Sequence, residues 1–214
     1  MEFSRLVDLT RPMRPGQPKF PTDPDMTVTA LAEAGPDSFQ VLNYHLVGPW
    51  GTHVDAPGHA LPGARTLADI APEELILPLV VVPLIDAPSL TAADLLRWEA
   101  RHGPLPEGGF VALHTGWTAH NSPATPGWGL DAVQLLHERG VRAIGHDTLN
   151  TDPGALVACD EYPAQRYWLE NDHWQVEFLT NLEQVPATGA TMWVSWPVPV
   201  GGSSFSARAL AALP

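Results

Sequence analysis

The stretch GPWGTHVDAPGHA, residues 48 to 60, sets two histidines and an aspartate among glycines and prolines. No amphipathic helix or ordinary strand requires that combination. His53 and Asp55 are two residues apart, so an extended backbone sends both side chains out from one face. Gly51 permits a close backbone approach before them, and Pro57 stiffens the chain after Asp55. His59 comes after a turn at Pro57-Gly58 and can fold back toward the same point. An imidazole and a carboxylate that converge suit a first-row metal such as Zn or Mn. A further imidazole that need not be a ligand suits a general acid/base. The same pair equally suits a simple hydrogen-bonded couple, because no second ligand cluster follows by spacing.

The remainder of the chain bounds the setting. Its 214 residues suffice for a sizeable core, and no linker-like run or repeat stands out, so one domain over 1–214 is expected. A hydrophobic content of 44% and eight tryptophans exclude disorder. The formal charge of −13 leaves no basic footprint for nucleic acid or an anionic membrane. The single cysteine, Cys159, cannot form a disulfide within the chain and suits a reducing compartment. MEFSRLVDLT lacks a basic n-region and a long apolar run, so no signal peptide is expected. The apolar stretch LILPLVVVPLI (75–85) is about half of a membrane span and holds two prolines. These readings point to a cytoplasmic globular protein.

Short strands and helices alternate. RLVDLT (5–10) suits a short first strand, while RPMRPGQPKFPTDP is too rich in proline for regular structure. Residues 26–32 and 39–47 alternate with the period of half-buried strands. LVVVPLI (79–85), FVALHT (110–115), VRAIGHD (141–147) and TMWVSW (191–196) read as buried strands. Thr91 with Asp94 opens a helix that Gly103 stops. Asp131 opens a second helix stopped by Gly140, and 164–172 suits a third. The pattern is that of an α/β or α+β domain with a mixed sheet.

GTHVDAPGH resembles the signature of the cyclase-like metal-dependent hydrolases, the family of bacterial kynurenine formamidase and isatin hydrolase, whose motif reads His-x-Gly-Thr-His-x-Asp-x-Pro-x-His. PKFPTDP (18–24), VALHTGW (111–117), AIGHDTLNTDPG (143–154), VEFLTNLEQV (176–185) and PVGGSSFSARALA (199–211) resemble further family segments in order. The resemblance implies a swivelling β/β/α domain with a barrel-like mixed sheet and flanking helices. It implies His53 and Asp55 as metal ligands, His59 as the catalytic acid/base, and Glu177 as a carboxylate that bridges two metals in two-metal members. Phe20 takes the place of an aromatic wall of the substrate pocket, and Trp50 is a second candidate for that wall. Thr52 is a candidate to orient the ligands. A homodimer or homotetramer, with neighbouring subunits contributing to the pocket, is implied as well.

Two positions depart from the family pattern. Pro49 stands where the first motif histidine is expected, and Gln165 where a late histidine is expected. Proline offers no ligand atom, and an amide oxygen binds a metal more weakly than imidazole. Three outcomes are open: one divalent metal per chain on His53, Asp55 and Glu177, with Gln165 joining them; replacement of a lost ligand by His45 or His146; or no metal and a non-hydrolytic small-ligand-binding protein. Retention of His53, Asp55, His59 and Glu177 favours a metal-dependent hydrolase of a small amide, lactam or ester. His146-Asp147 follows a buried strand and is as well suited to loop hydrogen bonding as to catalysis. His173 reads as exposed, and His102, His120 and His137 as solvated. Arg208 is read as holding the fold through carboxylates.

Overall fold

A computed structural model describes residues 3–118 and 125–214; His120 lies outside the described residues. β1 (Arg5–Asp8) is followed by β2 (Thr27–Ala32), β3 (Val41–His45) and β4 (His53–Asp55). Then come β5 (Ile76–Pro83), the short β6 (Ser89–Leu90), α1 (Ala92–His102), β7 (Phe110–His114) and β8 (Gly127–Trp128). The chain continues through α2 (Leu130–Glu138), β9 (Ala143–His146), α3 (Gly154–Val157), α4 (Pro163–Glu170) and β10 (Trp174–Glu177). It ends with β11 (Ala190–Ser195), β12 (Ser204–Ser206) and β13 (Arg208–Leu213).

Nine strands form one mixed sheet in the order β1-β13-β11-β5-β7-β9-β10-β4-β12. The centre, β5-β7-β9-β10, is parallel, and the strands on either side are antiparallel. β12 and β13 are separated only by Ala207, yet they stand near opposite ends of that order. Consecutive Cα atoms are about 3.8 Å apart, so the sheet must curl until its two ends meet. This is the barrel-like mixed sheet expected from the sequence. At the start of β13, Arg208 ties it to the neighbouring β1 with two hydrogen bonds to Asp8, 3.0 and 2.8 Å long.

Alternation along the central strands makes two cores. Leu79, Val81, Phe110, Ala112, Ala143, Trp174 and Val176 fill the inside of the curl. Val80, Val82, Val111, Leu113 and Ile144 face the other way and pack with Leu95 and Trp98 of α1, Leu136 of α2 and Trp168 of α4. Two buried faces explain why these strands read as continuous apolar runs.

The first helix forms as expected: Thr91 and Asp94 make a reciprocal capping box, and Gly103, at φ 93°, ends it. The start of α2 differs. Gly129 occupies its N-cap without a side-chain bond, and Asp131 instead accepts from the Ala92 amide, 3.0 Å away, tying α2 to α1. The β2–β3 hairpin also differs from the half-buried expectation. Its residues are exposed except Ala32 and Leu42, which are partly buried; alternation specifies a strand, but burial needs a covering element, and the described residues leave both faces largely open.

His173, expected at the surface, is buried beneath α4 and stacked on Trp168 with ring centroids 4.0 Å apart. Its Nδ1 donates to the Arg142 carbonyl at 3.3 Å, so Nε2 accepts from Nδ1 of His137 at 2.8 Å. Burial pushes the His173 pKa down to about 4. A folded-state pKa below the unfolded value of about 6.5 gives stability that is complete above pH 6.5 and lost as pH falls toward 4. His114 is shifted upward, mainly by its bond to Asp147, so its window lies above pH 6.5 and does not overlap. Denaturant unfolding should therefore show a loss of up to about 3 kcal/mol between pH 6.5 and 4.5. His173→Phe should flatten that slope; an unchanged slope would refute the assignment.

Candidate active site

Strand β4 lies between β10 and β12. The register sets His53 opposite Glu177 and Asp55 opposite Gln175, with Ser206 and Ser204 opposite the same two residues on the other side. Val54 and Val176 point into the barrel core, so His53, Asp55, Gln175 and Glu177 share the outer face. Gly51 makes the entry to β4 possible. Its φ is 69°, and a Cβ there would lie 3.1 Å from Nε2 of Gln17.

The Gly51 carbonyl accepts from Nδ1 of His53 at 2.8 Å. That bond leaves the lone pair on Nε2, which is 3.5 Å from a Glu177 oxygen and 3.8 Å from an Asp55 oxygen. One ligand atom from each of the three buried residues lies within 4.8 Å of the others. These separations are too long for hydrogen bonds. The 3.5 and 3.8 Å separations are near those of donors about 2.0–2.2 Å from a common ion, which tetrahedral angles place roughly 3.4 Å apart. Two carboxylates and an imidazole lone pair facing one another repel unless a cation lies between them. Burial pushes the Asp55 carboxyl up, but nearby His59 and His53, together with the Ser204 hydroxyl and the Gln175 amide, hold it below its ordinary range. Asp55 Oδ1 has no hydrogen-bond partner among the described residues. The donor set fits a divalent metal.

The surrounding bonds fix which Glu177 oxygen faces that point. Gln175 Nε2 donates to Asp55 at 3.1 Å and to Glu177 Oε1 at 2.9 Å. Thr151 Oγ1 donates to the same Glu177 oxygen at 2.9 Å. Oε2 is left for the cation. Thr52, the sequence candidate for this task, instead bonds the Phe178 carbonyl at 2.7 Å and the Arg11 amide at 2.9 Å. Gln175 shares a strand face with Glu177, so the two-residue period was a signal that could have found it; nothing local marks Thr151. His45 is exposed on the hairpin and stands outside the three-residue cluster.

A cavity of about 370 Å³ opens over the three ligands, a size suited to a small molecule. Phe20, Tyr162, Phe178, Leu149 and Leu169 supply apolar wall. His59 lines it from the end of a 3-10 turn, Pro57–His59, and is solvent-exposed. Pro49 and Gln165 both line it, so the two positions without a histidine do face the site. The Gln165 amide and the Ala164 amide are held by Asp152 at 3.0 and 2.8 Å, which anchors the start of α4. Trp50 is a correction: it is fully buried in the interior and does not border the cavity, nor does any other tryptophan. Asp147 accepts from the Thr115 and Gly116 amides, the Thr115 hydroxyl and His114. Burial pushes its carboxyl up, but these bonds hold it below the ordinary range; it organises a turn and stays out of the cavity.

Isatin hydrolase of Roseibium aggregatum is 27% identical over 243 aligned positions, covering 98% of this chain and 92% of that protein. Kynurenine formamidase of Paracidovorax citrulli is 28% identical over 75% of this chain and 76% of its own length. The crystal structure of an isatin hydrolase bound to the product analogue thioisatinate superposes with a TM-score of 0.88 at 25% identity, over 98% of this chain and 92% of that one. The family model described as "Putative cyclase" matches residues 7–153, which include the His53–Asp55 strand and His59. With that match running from β1 to the loop that carries Thr151, the chain belongs to the "Putative cyclase" family.

Proposed function

We propose that this protein is a metal-dependent hydrolase that cleaves the C–N bond of a small amide or lactam, with esters as a related substrate class. The observation that carries this is the convergence of His53 Nε2, Asp55 and Glu177 at the floor of the cavity. The names of both relatives denote hydrolysis of an amide, which supports the same bond type here. One Zn or Mn ion per chain, held by His53, Asp55 and Glu177 with Gln165 as a weaker fourth donor, would polarise a carbonyl and lower the pKa of water.

The protein's own groups do the rest. Gly51 holds His53 in the tautomer that offers Nε2. His59 takes a proton from the attacking water at its imidazole and returns it to the leaving nitrogen or oxygen. Its exposure lets it exchange protons with solvent between turnovers. Phe20, Tyr162 and Phe178 supply apolar and aromatic contact for a planar substrate and exclude water from the reacting carbonyl. The exposed hairpin, with Phe39 at 90% and Leu31 at 70% exposure, supports a homodimer or homotetramer, because an uncovered two-stranded hairpin is marginal in water. The single cysteine and the net charge of −13 suit a cytoplasmic setting.

Elemental analysis of protein purified without an affinity-tag metal should find close to one equivalent of Zn or Mn, lost in both His53→Ala and Glu177→Ala. No uptake even from excess Zn and Mn would sink the hydrolase reading. His59→Ala should keep its metal while turnover of a responsive amide or lactam falls by about 10²–10⁴-fold. Loss of metal in that variant would instead make His59 a ligand.

A further inference from the structure

Behind the three ligands lies a histidine to which the reaction above gives no part. His146, the last residue of β9, is fully buried. Its Nδ1 lies 3.3 Å from the indole Nε1 of Trp128. An indole N–H can only donate, so Nδ1 must present a lone pair, and the proton of the neutral ring sits on Nε2. Nε2 in turn is 3.6 Å from Oε1 of Glu177. That is longer than a formed hydrogen bond, and Nε2 has no other partner among the described residues. A buried ring is thus locked with its one free proton next to a carboxylate in the metal-binding set.

We propose that His146 is a positioning residue for Glu177, with Trp128 setting its tautomer. Its Nε2–H lies on the Oε1 side of the carboxylate, 3.6 Å from the oxygen that Thr151 and Gln175 already bond, and adds to the bias that turns Oε2 toward His53 and the cation. This rests on the reading of His53, Asp55 and Glu177 as metal ligands. It also excludes His146 as the substitute for a missing ligand. Ligation through Nε2 would move the ring proton to Nδ1, where it would face the Trp128 N–H, donor against donor. Outer donors of this kind hold a ligand's orientation, and their loss commonly weakens metal affinity about 10–100-fold.

The test is calorimetric titration of chelator-stripped protein with Mn²⁺ at fixed pH, comparing the wild type with His146→Phe and His146→Gln. Phenylalanine keeps the ring volume without the donor; glutamine places an N–H near the position of Nε2. We expect His146→Phe to weaken Mn²⁺ binding at least about tenfold and His146→Gln to stay within about threefold of the wild type. Wild-type affinity in His146→Phe, or equal weakening in both variants, would show that the ring only fills space and would overturn the proposal. Failure of the wild type itself to bind Mn²⁺ or Zn²⁺ would overturn the metal reading, and is seen before any variant is compared. A second readout needs no folded phenylalanine variant. In protein labelled with ¹⁵N-histidine, the ring signals absent from His146→Gln should report an Nε2–H tautomer; an Nδ1–H tautomer would overturn the assignment.

Discussion

Strand β4 is only three residues long, and it is paired on both sides, with β10 and with β12. The rest of the site depends on that register. Side chains alternate across a strand, so a slip of one residue would turn His53 and Asp55 into the apolar interior of the curl and expose Val54. The same pairing sets His53 against Glu177, residues far apart in the chain. It is held by the closure of the sheet. Ser204 to Leu213 runs from one end of the strand order to near the other with a single residue between its two strands, and so keeps β12 against β4.

Hydrogen bonding sets the reactive cluster apart from a structural one. Asp147 accepts bonds from two amides, a hydroxyl and an imidazole, and what it stabilises is a turn. Asp55 and Glu177 are different. Glu177 has Oε1 engaged by protein donors and Oε2 free toward His53, and Asp55 keeps Oδ1 without a hydrogen-bond partner among the described residues. Buried anionic oxygens left facing another lone pair are costly unless a cation joins them. The unmet capacity, more than the presence of histidines, distinguishes a metal site from a buried polar network.

Parts of the fold were legible because their signals are local. The Thr91–Asp94 capping box and Gly103 stop are set by neighbours within a few residues, and they appear as the sequence indicates. The central strands were recognisable from unbroken apolar runs, since both of their faces are buried. The departures share one cause: each depends on what packs against a residue. The hairpin alternates like a half-buried pair but is largely exposed among the described residues. Asp131 resembles a helix opener but bonds the neighbouring helix. His173, polar and flanked by Asp172 and Trp174, gives no local sign that Trp168 will stack on it. Trp50, next to the motif, is drawn inward, and the wall comes from Phe20, Tyr162 and Phe178.

By itself the sequence determined the kinds of donor atom available and their local pairing. His53 and Asp55 share a face because the period of an extended chain is two, and Pro49 can never be a ligand because it carries no donor atom. Tertiary structure decided everything that depends on distant chain segments meeting. It brought Glu177 opposite His53, set Thr151 and Gln175 on one carboxylate oxygen in place of Thr52, and placed Trp128 against His146 so that its free proton sits on Nε2. The physical reason is that ligation and tautomer are set by geometry at about 2 to 4 Å, and only the closed sheet brings residues so far apart in sequence to that range.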